Sequence, residues 1–258
     1  MGLLRITGTL DLAQFYPDGQ SDGDTAHVVI DPEKSFAFQE TDGAEFQVTT
    51  VFTGATVSGR DGRKPVIDKH NRIDIRFQGI DAPELHFRPT FSHLSPAQKD
   101  AVKEVNRNFR QPYGASAAAA LSEFLQALGD GKLSCYVETQ VDTPNDVCDT
   151  YARVVGDLVV VDSKKNEADL NRWMIEQGWA FPAFYTSMTS AEIMPLRDLA
   201  ATARAKELGF WPSFTNTVVF PDPDLVFAKT IDTNDNGPVL FPKYFRRSCN
   251  WYVSIEPG

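Results

Sequence analysis

The sequence predicts an α+β domain, a small antiparallel β-barrel with helices packed on it. The first 80 residues are dominated by strand-like segments, a helical segment follows, and two more strands precede two closing helices. This order of elements suits such a barrel. Hydrophobic residues make up 42% and charged residues 23% of the 258 residues, which is the composition of an ordinary globular protein with a sizeable core.

The N-terminal strands are marked by alternating apolar residues bounded by turn residues. Residues 3–15, "LLRITGTLDLAQF", and "TAHVVI" predict strands, separated by the turn-rich "YPDGQSDGD". The next strand covers residues 72–80, and Pro83 ends it. The segment 31–71 carries its own strand pattern, "AEFQVTTVF". We predict a long β-hairpin insertion there, because an unstructured loop of that length is uncommon in a compact domain.

The helices are marked by apolar residues at helical spacing. Residues 95–112 are charged and predicted to be partly helical, and "YGASAAAALSEFLQAL" then predicts an amphipathic helix. Its apolar stripe is Ala117, Leu121, Phe124, Leu125 and Leu128. Two strands, "KLSCYVETQV" and "ARVVGDLVVVD", follow. Two further helices, "ADLNRWMIEQGWA" and "IMPLRDLAATARAKELGFW", then close the domain, the second stopped by Gly209 and Pro212.

The chain divides into two parts. Residues 1–212 form the predicted domain, and residues 213–258 are a C-terminal extension of unknown role with a strand-like "NWYVSI". No apolar run approaches the roughly 20 residues that cross a bilayer, and the N-terminus lacks the layout of a signal peptide. We therefore expect a cytoplasmic protein with no membrane partner. If Met1-Gly2 replaces a removed leader, it is secreted or periplasmic. The three cysteines are too few for a disulfide framework.

The charge is unevenly distributed. The net charge of −10 argues against a uniformly basic, nucleic-acid-binding surface. Residues 60–110, however, hold 11 Lys and Arg against 7 Asp and Glu, whereas residues 1–50 hold 2 against 9. The insertion ends in a run of basic residues: Arg60, Arg63, Lys64, Lys69 and Arg72. This run predicts either an arm along a nucleic-acid backbone or a solvated basic tip.

Three short stretches combine acidic and basic groups at predicted strand ends: "DGDT" at 22–25, "RFQGIDAPE" at 76–84 and "DTYAR" at 149–153. If the barrel brings these ends together, they form a metal site of carboxylates facing a phosphate site of two arginines. Hard cations such as Ca²⁺ take oxygen ligands, and paired guanidinium donors grip a phosphodiester. Each stretch alone is equally typical of an ordinary turn or strand exit.

Together and in this order, the stretches resemble the staphylococcal nuclease (thermonuclease) family. That family's pattern runs Asp-Gly-Asp-Thr, then Arg-x-x-x-x-(Ile/Val)-Asp-x-Pro-Glu, then Tyr-Gly at a helix start, then Asp-x-Tyr-Gly-Arg. The likeness covers most of residues 3–212, except the insertion. The resemblance implies a five-stranded oligonucleotide/oligosaccharide-binding (OB-fold) barrel with three helices. It also implies cleavage of DNA and RNA to leave 3′-phosphates.

The resemblance also implies a role for each matching residue. Asp24 and Asp81 would bind Ca²⁺, helped by the backbone carbonyl of Ala82. Glu84 would be the general base or the group that positions a water molecule. Arg76 and Arg153 would clamp the phosphate. We therefore expect a calcium-dependent, monomeric nuclease acting on DNA and RNA. The alternative is a catalytically silent OB-fold module that binds nucleic acid or protein.

Two positions depart from the family pattern. Ala152 replaces the glycine before Arg153, which bears on how that arginine is aimed. Thr150 stands where a family lysine contacts a terminal phosphate, so we expect endonucleolytic cleavage. Tyr151 is retained and would hydrogen-bond a phosphate. In "FPAFYTS", Phe184 and Tyr185 are candidates for base stacking, with core packing as the alternative for Phe184.

Overall fold

The fold is taken from a computed structural model, which describes residues 1–16, 18–19, 21–41, 45–49, 56–59, 62–89, 109–217 and 237–255. Over these ranges the strands, numbered in chain order, are β1 (Gly2–Asp11), β2 (Thr25–Val29), β3 (Phe36–Glu40), β4 (Gln47–Val48), β5 (Thr56–Gly59), β6 (Gly62–Pro65), β7 (Arg72–Phe77), β8 (Ile80–Asp81), β9 (Lys132–Val141), β10 (Val154–Val161), β11 (Glu167–Asp169) and β12 (Phe181–Pro182). The α-helices are α1 (Gly114–Leu128), α2 (Leu170–Glu176), α3 (Ser190–Ala205) and α4 (Pro242–Ile255).

Five strands close into a mixed β-barrel of the α+β, OB-fold type. Strand β1 pairs antiparallel with β2 and β9, β2 pairs with β7, and β9 pairs with β10. The closing pair, β7 with β10, is parallel, so the expectation of an antiparallel barrel is wrong at this one seam. A parallel pair needs a long crossover connection, which is supplied here by the chain through α1 and β9.

The barrel interior and the inner faces of the helices form one hydrophobic core. Leu4, Ile6 and Leu10 of β1 are completely buried, as are Ile73 and Ile75 of β7. The predicted stripe of α1 faces this core: Ala117, Leu121 and Leu125 are buried, while Phe124 and Leu128 pack against it partly exposed. The periodicity of the sequence therefore placed this helix correctly.

Element boundaries shift where local capping decides them. Helix α2 begins only at Leu170, because the preceding residues form β11 and the Asp169 side chain accepts a hydrogen bond from the Arg172 amide. Helix α3 begins earlier than predicted, at Ser190. The Thr189 and Glu192 side chains form a reciprocal capping box there. Two predicted segments, 95–108 and part of "AEFQVTTVF", lie outside the described residues.

The inserted segment adds strands beside the barrel, as predicted. Strand β3 pairs antiparallel with β1 and extends the sheet through β4, and β5 and β6 form a separate two-stranded hairpin. The basic residue Arg60 lies outside the described residues. Among those that are described, no helix is both long and apolar enough to cross a membrane.

The strand expected in the C-terminal extension is wrong, because residues 250–255 lie in α4. Phe245, Ser248 and Cys249 of this helix are buried, at the spacing of three and four residues that places side chains on one helical face. The aromatic and β-branched residues of "NWYVSI" favour a strand locally. Packing of this face against the domain overrides that preference.

Candidate active site

The first two charged stretches meet at the start of β2 and the end of β7. Thr25 lies opposite Arg76 in the antiparallel ladder, and the Phe77 amide donates to the Asp24 carbonyl over 2.9 Å. Strand pairing therefore places Asp24 beside Arg76, although 52 positions separate them. The sequence-based expectation that these strand ends come together holds for this pair.

A tight turn brings a second acidic residue, Asp81, back to the same point. Residues 78–79 connect β7 to β8, and Gly79 has a left-handed φ of +75° that favours glycine. The turn directs Asp81 towards Arg76, whose Nη2 donates to Asp81 Oδ1 over 2.8 Å. Arg76 also forms an ion pair with Asp24. Asp24 Oδ2 accepts a further hydrogen bond from the Ala82 amide at 2.9 Å.

This ion-pair cluster is buried, which strengthens its electrostatics. Asp24, Arg76 and Asp81 are 7%, 7% and 3% exposed. Burial opposes the charge of Arg76, but the neighbouring Asp24 and Asp81 outweigh it and raise the arginine's pKa. Burial likewise opposes charge on Asp24, and Arg76 outweighs it and lowers that pKa. The arginine and the Asp24 carboxylate are therefore both ionised.

Glu84 follows on a loop held by Gln111. The Gln111 amide donates to the Glu84 carbonyl over 2.8 Å, and the Glu84 amide donates to Gln111 Oε1 over 3.3 Å. Burial, followed by the nearby Asp22, raises the pKa of Glu84 to about 8, while Arg246 acts in the opposite direction. A carboxyl group with a pKa near neutrality has the property expected of a group that exchanges a proton during a reaction.

Arg153 reaches the site from a loop organised by Asp149. Asp149 Oδ2 accepts from Arg153 Nε over 2.8 Å, and Asp149 Oδ1 accepts from the Tyr151 and Arg153 amides. Ala152 sits in the left-handed region at φ 62° and is 1% exposed. The loop thus keeps the backbone shape that glycine adopts readily. Alanine takes it with strain.

Arg246 of α4 is the residue that sequence reasoning missed. Its Nη2 donates to Asp81 Oδ2 over 2.9 Å, its Nη1 donates to Asp81 Oδ1 over 3.3 Å, and it forms an ion pair with Glu84. Burial opposes its charge, but Asp81 and Glu84 outweigh it and raise the pKa of this arginine. No local motif marks Arg246, because its partners lie 165 and 162 positions away.

These groups surround one cleft of about 570 Å³. Its wall includes Asp24, Arg76, Glu84, Arg153 and Arg246. Tyr151 and Tyr185 line it as well and are 47% and 41% exposed, which leaves ring surface open to a ligand. Phe184 is also 41% exposed but is not part of the described lining. The cleft therefore combines acidic groups, guanidinium groups and aromatic rings.

The donor atoms suit a hard cation, but their present partners compete with one. Asp24 and Asp81 offer the carboxylate oxygens that Ca²⁺ prefers. Both Asp81 oxygens accept hydrogen bonds from guanidinium groups, one from Arg76 and Arg246 and the other from Arg246. Within the described ranges, no group of three or more His, Cys, Asp or Glu side chains is arranged to hold a metal ion. The oxygen donors are thus of the type that calcium prefers, and in this structure Arg76 and Arg246 are paired with them.

Comparison with known proteins agrees with this geometry. A search of curated proteins gives no match. The sequence profile described as "Staphylococcal nuclease homologue" matches residues 74–213, more than half of the chain. The match includes Arg76, Asp81, Glu84 and Arg153, and it ends before the segment that contributes Arg246. The chain therefore belongs to the staphylococcal nuclease family.

Proposed function

We propose that this protein is a calcium-dependent phosphodiesterase that cleaves DNA, and also RNA, within the strand and leaves 3′-phosphates. The observation that carries the proposal is the convergence of Glu84, Arg76 and Arg153 on one cleft of about 570 Å³. Members of the family are generally hydrolytic nucleases, which supports the reaction class. The protein acts as a monomer in this proposal.

The two arginines bind and stabilise the phosphate. Hydrolysis passes through a five-coordinate phosphorus that carries more negative charge than the ground state. Guanidinium donors fixed in advance stabilise that charge. Arg76 is held by Asp24 and Asp81, and Arg153 is held by Asp149, so the protein fixes both side chains. Arg153 contributes its remaining N–H donors to the phosphate oxygens. Arg76 contributes its positive charge and Nε–H, because its Nη1 and Nη2 groups already contact Asp24, Ile80 and Asp81.

Glu84 handles the proton of the attacking water. Its carboxylate accepts that proton as the water oxygen attacks phosphorus and the bond from phosphorus to the 5′ oxygen breaks. The strand upstream keeps the phosphate at its 3′ end. The departing 5′ oxygen takes up a proton from solvent, so the downstream strand leaves with a 5′-hydroxyl. Gln111 fixes the backbone of Glu84 on both its amide and its carbonyl side, so the carboxyl group is well positioned.

Calcium would be held by Asp24, Asp81 and the backbone carbonyl of Ala82. When bound, it supplies positive charge that balances the phosphate. The carboxylates of Asp24 and Asp81 are nearly inaccessible to solvent, and they are oriented by Arg76 and the Ala82 amide. A preoriented ligand pair lowers the ordering cost of binding a cation.

The substrate would be held on the open side of the cleft by aromatic rings. Tyr151 and Tyr185 line the cleft, where Tyr151 would hydrogen-bond a phosphate and a base would stack on Tyr185. Phe184, exposed beside it, would extend this stacking surface. Stacking on aromatic rings tolerates any base and contributes about 1–3 kcal/mol per base, which suits a nuclease without sequence preference.

The decisive experiment compares Glu84→Gln with the intact protein on supercoiled plasmid and on RNA, with Ca²⁺ or with chelator. We expect the substitution to lower the cleavage rate by about 10²–10⁴-fold, because it removes the proton acceptor. Glu176→Gln, an exposed glutamate on α2, is the matched control and should cleave like the intact protein. Cleavage that persists in chelator, or that survives Glu84→Gln, contradicts the proposed chemistry.

A second variant isolates the phosphate clamp. Arg153→Ala should lower the rate by about 10²–10³-fold, the effect of losing one donor to the transition state. The matched control is Arg197→Ala, an exposed arginine on α3 that also pairs with an aspartate. Arg153 is preferred to Arg76 for this test, because removing Arg76 leaves Asp24 and Asp81 buried without their cation.

One observation favours a second candidate, a binding module without turnover. In this structure Glu84 is already paired with Arg246, and Arg153 with Asp149. A site whose carboxylate and guanidinium groups already have ion-pair partners within the protein can bind a phosphate backbone without cutting it. Fluorescence anisotropy with a labelled oligonucleotide separates the two. Binding that weakens in Arg153→Ala, with no cleavage by the intact protein on DNA or RNA, supports the module.

A further inference from the structure

The feature that carries this inference is Arg246, a side chain that α4 places in the cleft. Arg246 bridges two carboxylates, with both Asp81 oxygens and Glu84 Oε1 as acceptors. On its other side Asp81 is held by Arg76. The C-terminal segment therefore supplies one of the cations that balance the acidic groups of the candidate active site.

The backbone that carries Arg246 is firmly anchored. Phe245 and Cys249, on either side of it along the helix, are 4% and 0% exposed. The Val239 amide donates to the Ser213 carbonyl, and Gln111 Nε2 donates to the Leu240 carbonyl. Gln111 also holds Glu84, so the segment and the Glu84 loop share one buried side chain. Helix α4 is thus fixed in place beside the site.

The side chain of Arg246 is the part of α4 that lies at the open cleft. It is 33% exposed, compared with 9% for that of Arg76, and it lines the open cleft. A guanidinium on a long flexible stem can swing into the cleft while its helix stays docked. Buried residues thus anchor the helix, whereas the Arg246 guanidinium lies at the solvent-accessible wall of the cleft.

The charges around Arg246 determine which kind of ion would replace it. Asp24, Asp81 and Glu84 are three acidic groups that share Arg76 and Arg246 as cations. Without Arg246, Asp81 and Glu84 would lose the guanidinium that bridges them, while Arg76 and Arg153 would still face Asp24, and a site left with this excess of acidic groups attracts a cation. The oxygens that a calcium ion needs on Asp81 are those to which Arg246 donates. The competition is sharpest at Asp81 Oδ2, which accepts from Arg246, whereas Arg76 donates to Asp81 Oδ1. A bound Ca²⁺ at that oxygen would repel the docked Arg246 guanidinium, because the two like charges would lie in contact.

We propose that Arg246, which pairs with Asp81 and Glu84, is a resident counter-cation that competes with calcium for Asp81. In the calcium-free protein Arg246 positions the side chains of Asp81 and Glu84, and calcium binds only as Arg246 withdraws. The C-terminal helix thereby sets the calcium affinity of the site. This inference rests on the proposed function only in taking Asp24 and Asp81 as the calcium ligands.

The test is calorimetric titration of the full chain with CaCl₂ after removal of bound metal. Arg246→Gln removes the competing charge and should bind Ca²⁺ at least tenfold more tightly than the unaltered protein. Arg246→Lys keeps the charge but cannot bridge two carboxylates with a planar fork, so its affinity should lie between the two. Arg247→Gln, the exposed neighbour on the same helix, is the matched control and should bind like the unaltered protein.

Thermal unfolding provides a readout independent of any reaction. In chelator, Arg246→Gln should melt below the unaltered protein, because three acidic groups have lost a cation. Added Ca²⁺ should raise its melting temperature by more than it raises that of the unaltered protein, since the stabilisation by a ligand grows with the logarithm of its affinity for the folded state. Circular dichroism in Ca²⁺ checks that the variant retains the fold.

Two results would overturn the inference. The first is equal or weaker Ca²⁺ binding by a folded Arg246→Gln. The second is an equal gain in affinity in Arg247→Gln, which would indicate a general charge effect of the helix. Neither result depends on cleavage. If Arg246→Gln binds Ca²⁺ more tightly but the intact protein cuts no nucleic acid, this inference stands and the nuclease is rejected. If the intact protein cuts nucleic acid but Arg246→Gln binds Ca²⁺ no more tightly, the nuclease stands and this inference is rejected.

Discussion

At the residue scale, Ala152 shows two opposing energies at one position. Its φ of 62° lies in the left-handed region, which costs a residue with a Cβ about 1–2 kcal/mol. Its methyl group is buried at 1% exposure and contributes about 0.8 kcal/mol. The loop that orients Arg153 therefore carries strain, which the Asp149 hydrogen bonds and the packing of this methyl group hold in place.

We predict that Ala152→Gly leaves the free energy of unfolding within about 1 kcal/mol of its original value. Relief of the strained φ opposes the loss of the methyl group and the added entropy of glycine in the unfolded chain, about 0.5–1 kcal/mol. Urea denaturation measures the difference. The matched control is Ala117→Gly in α1, which is buried but helical and should lose about 2 kcal/mol. Equal losses in both variants would show that Ala152 carries no strain.

At the element scale, the C-terminal helix is built into the fold. Val239 is completely buried in a cluster with Phe181 and Phe210, whose rings stack at 4.2 Å between centroids. The segment before the helix also pairs with the chain after α3, since the Thr215 amide donates to the Val239 carbonyl. Burial of this kind is what fixes the helix that carries Arg246.

We predict that Phe245→Ala destabilises the whole domain by about 3–5 kcal/mol, as expected for a large side chain removed from a core. Tyr244→Ala changes an aromatic residue on the same helix that is 56% exposed, and it should cost less than about 1 kcal/mol. Thermal or urea unfolding followed by circular dichroism measures both. A small loss for Phe245→Ala, or a separate early transition, would show that α4 is only loosely attached.

At the scale of the whole molecule, a second acidic cluster lies away from the cleft. Asp157 of β10 faces Asp169, Glu192 and Glu138, which come from the end of β11, from α3 and from β9. Burial and then these like charges raise the pKa of Asp157 to about 7, and Asn171 Nδ2 donates to it over 2.9 Å. Four acidic side chains from separate elements thus lie close together at this point.

This cluster predicts the pH dependence of stability. The folded protein binds a proton at Asp157 more tightly than the unfolded chain, whose pKa is near 3.8. The stabilising contribution is therefore complete below about pH 4 and is lost as pH rises to about 7. Asp157→Asn should abolish this part of the slope, a difference of a few kcal/mol between the two pH values. Asp198→Asn, an exposed aspartate on α3, should leave the slope unchanged.

The measurement is urea denaturation of the unaltered protein and both variants at half-unit steps from pH 4 to pH 7. The free energy of unfolding should fall with pH in the unaltered protein and in Asp198→Asn, and the fall should be smaller in Asp157→Asn. A parallel decline in all three proteins would contradict the assignment, because it would place the titrating group elsewhere.

The sequence by itself determined the family, the barrel strands and the helix α1. It also indicated that Asp24, Arg76 and Asp81 would converge, since each lies at a strand end within a short motif. Local periodicity and motif spacing carry this information directly. The roles assigned to Glu84, Arg153 and the aromatic residues of the cleft stay predictions, because geometry places these groups and does not show what they do.

Only the tertiary structure decided the parallel seam between β7 and β10, the helical state of residues 250–255 and the place of Arg246. Each depends on contacts between segments far apart in the chain. A side chain that pairs across 165 positions leaves no periodic trace near itself, because its partner is chosen by how the helix packs. The sequence could thus indicate a cleft of carboxylates and arginines, while packing decided which arginine lies across Asp81 and Glu84.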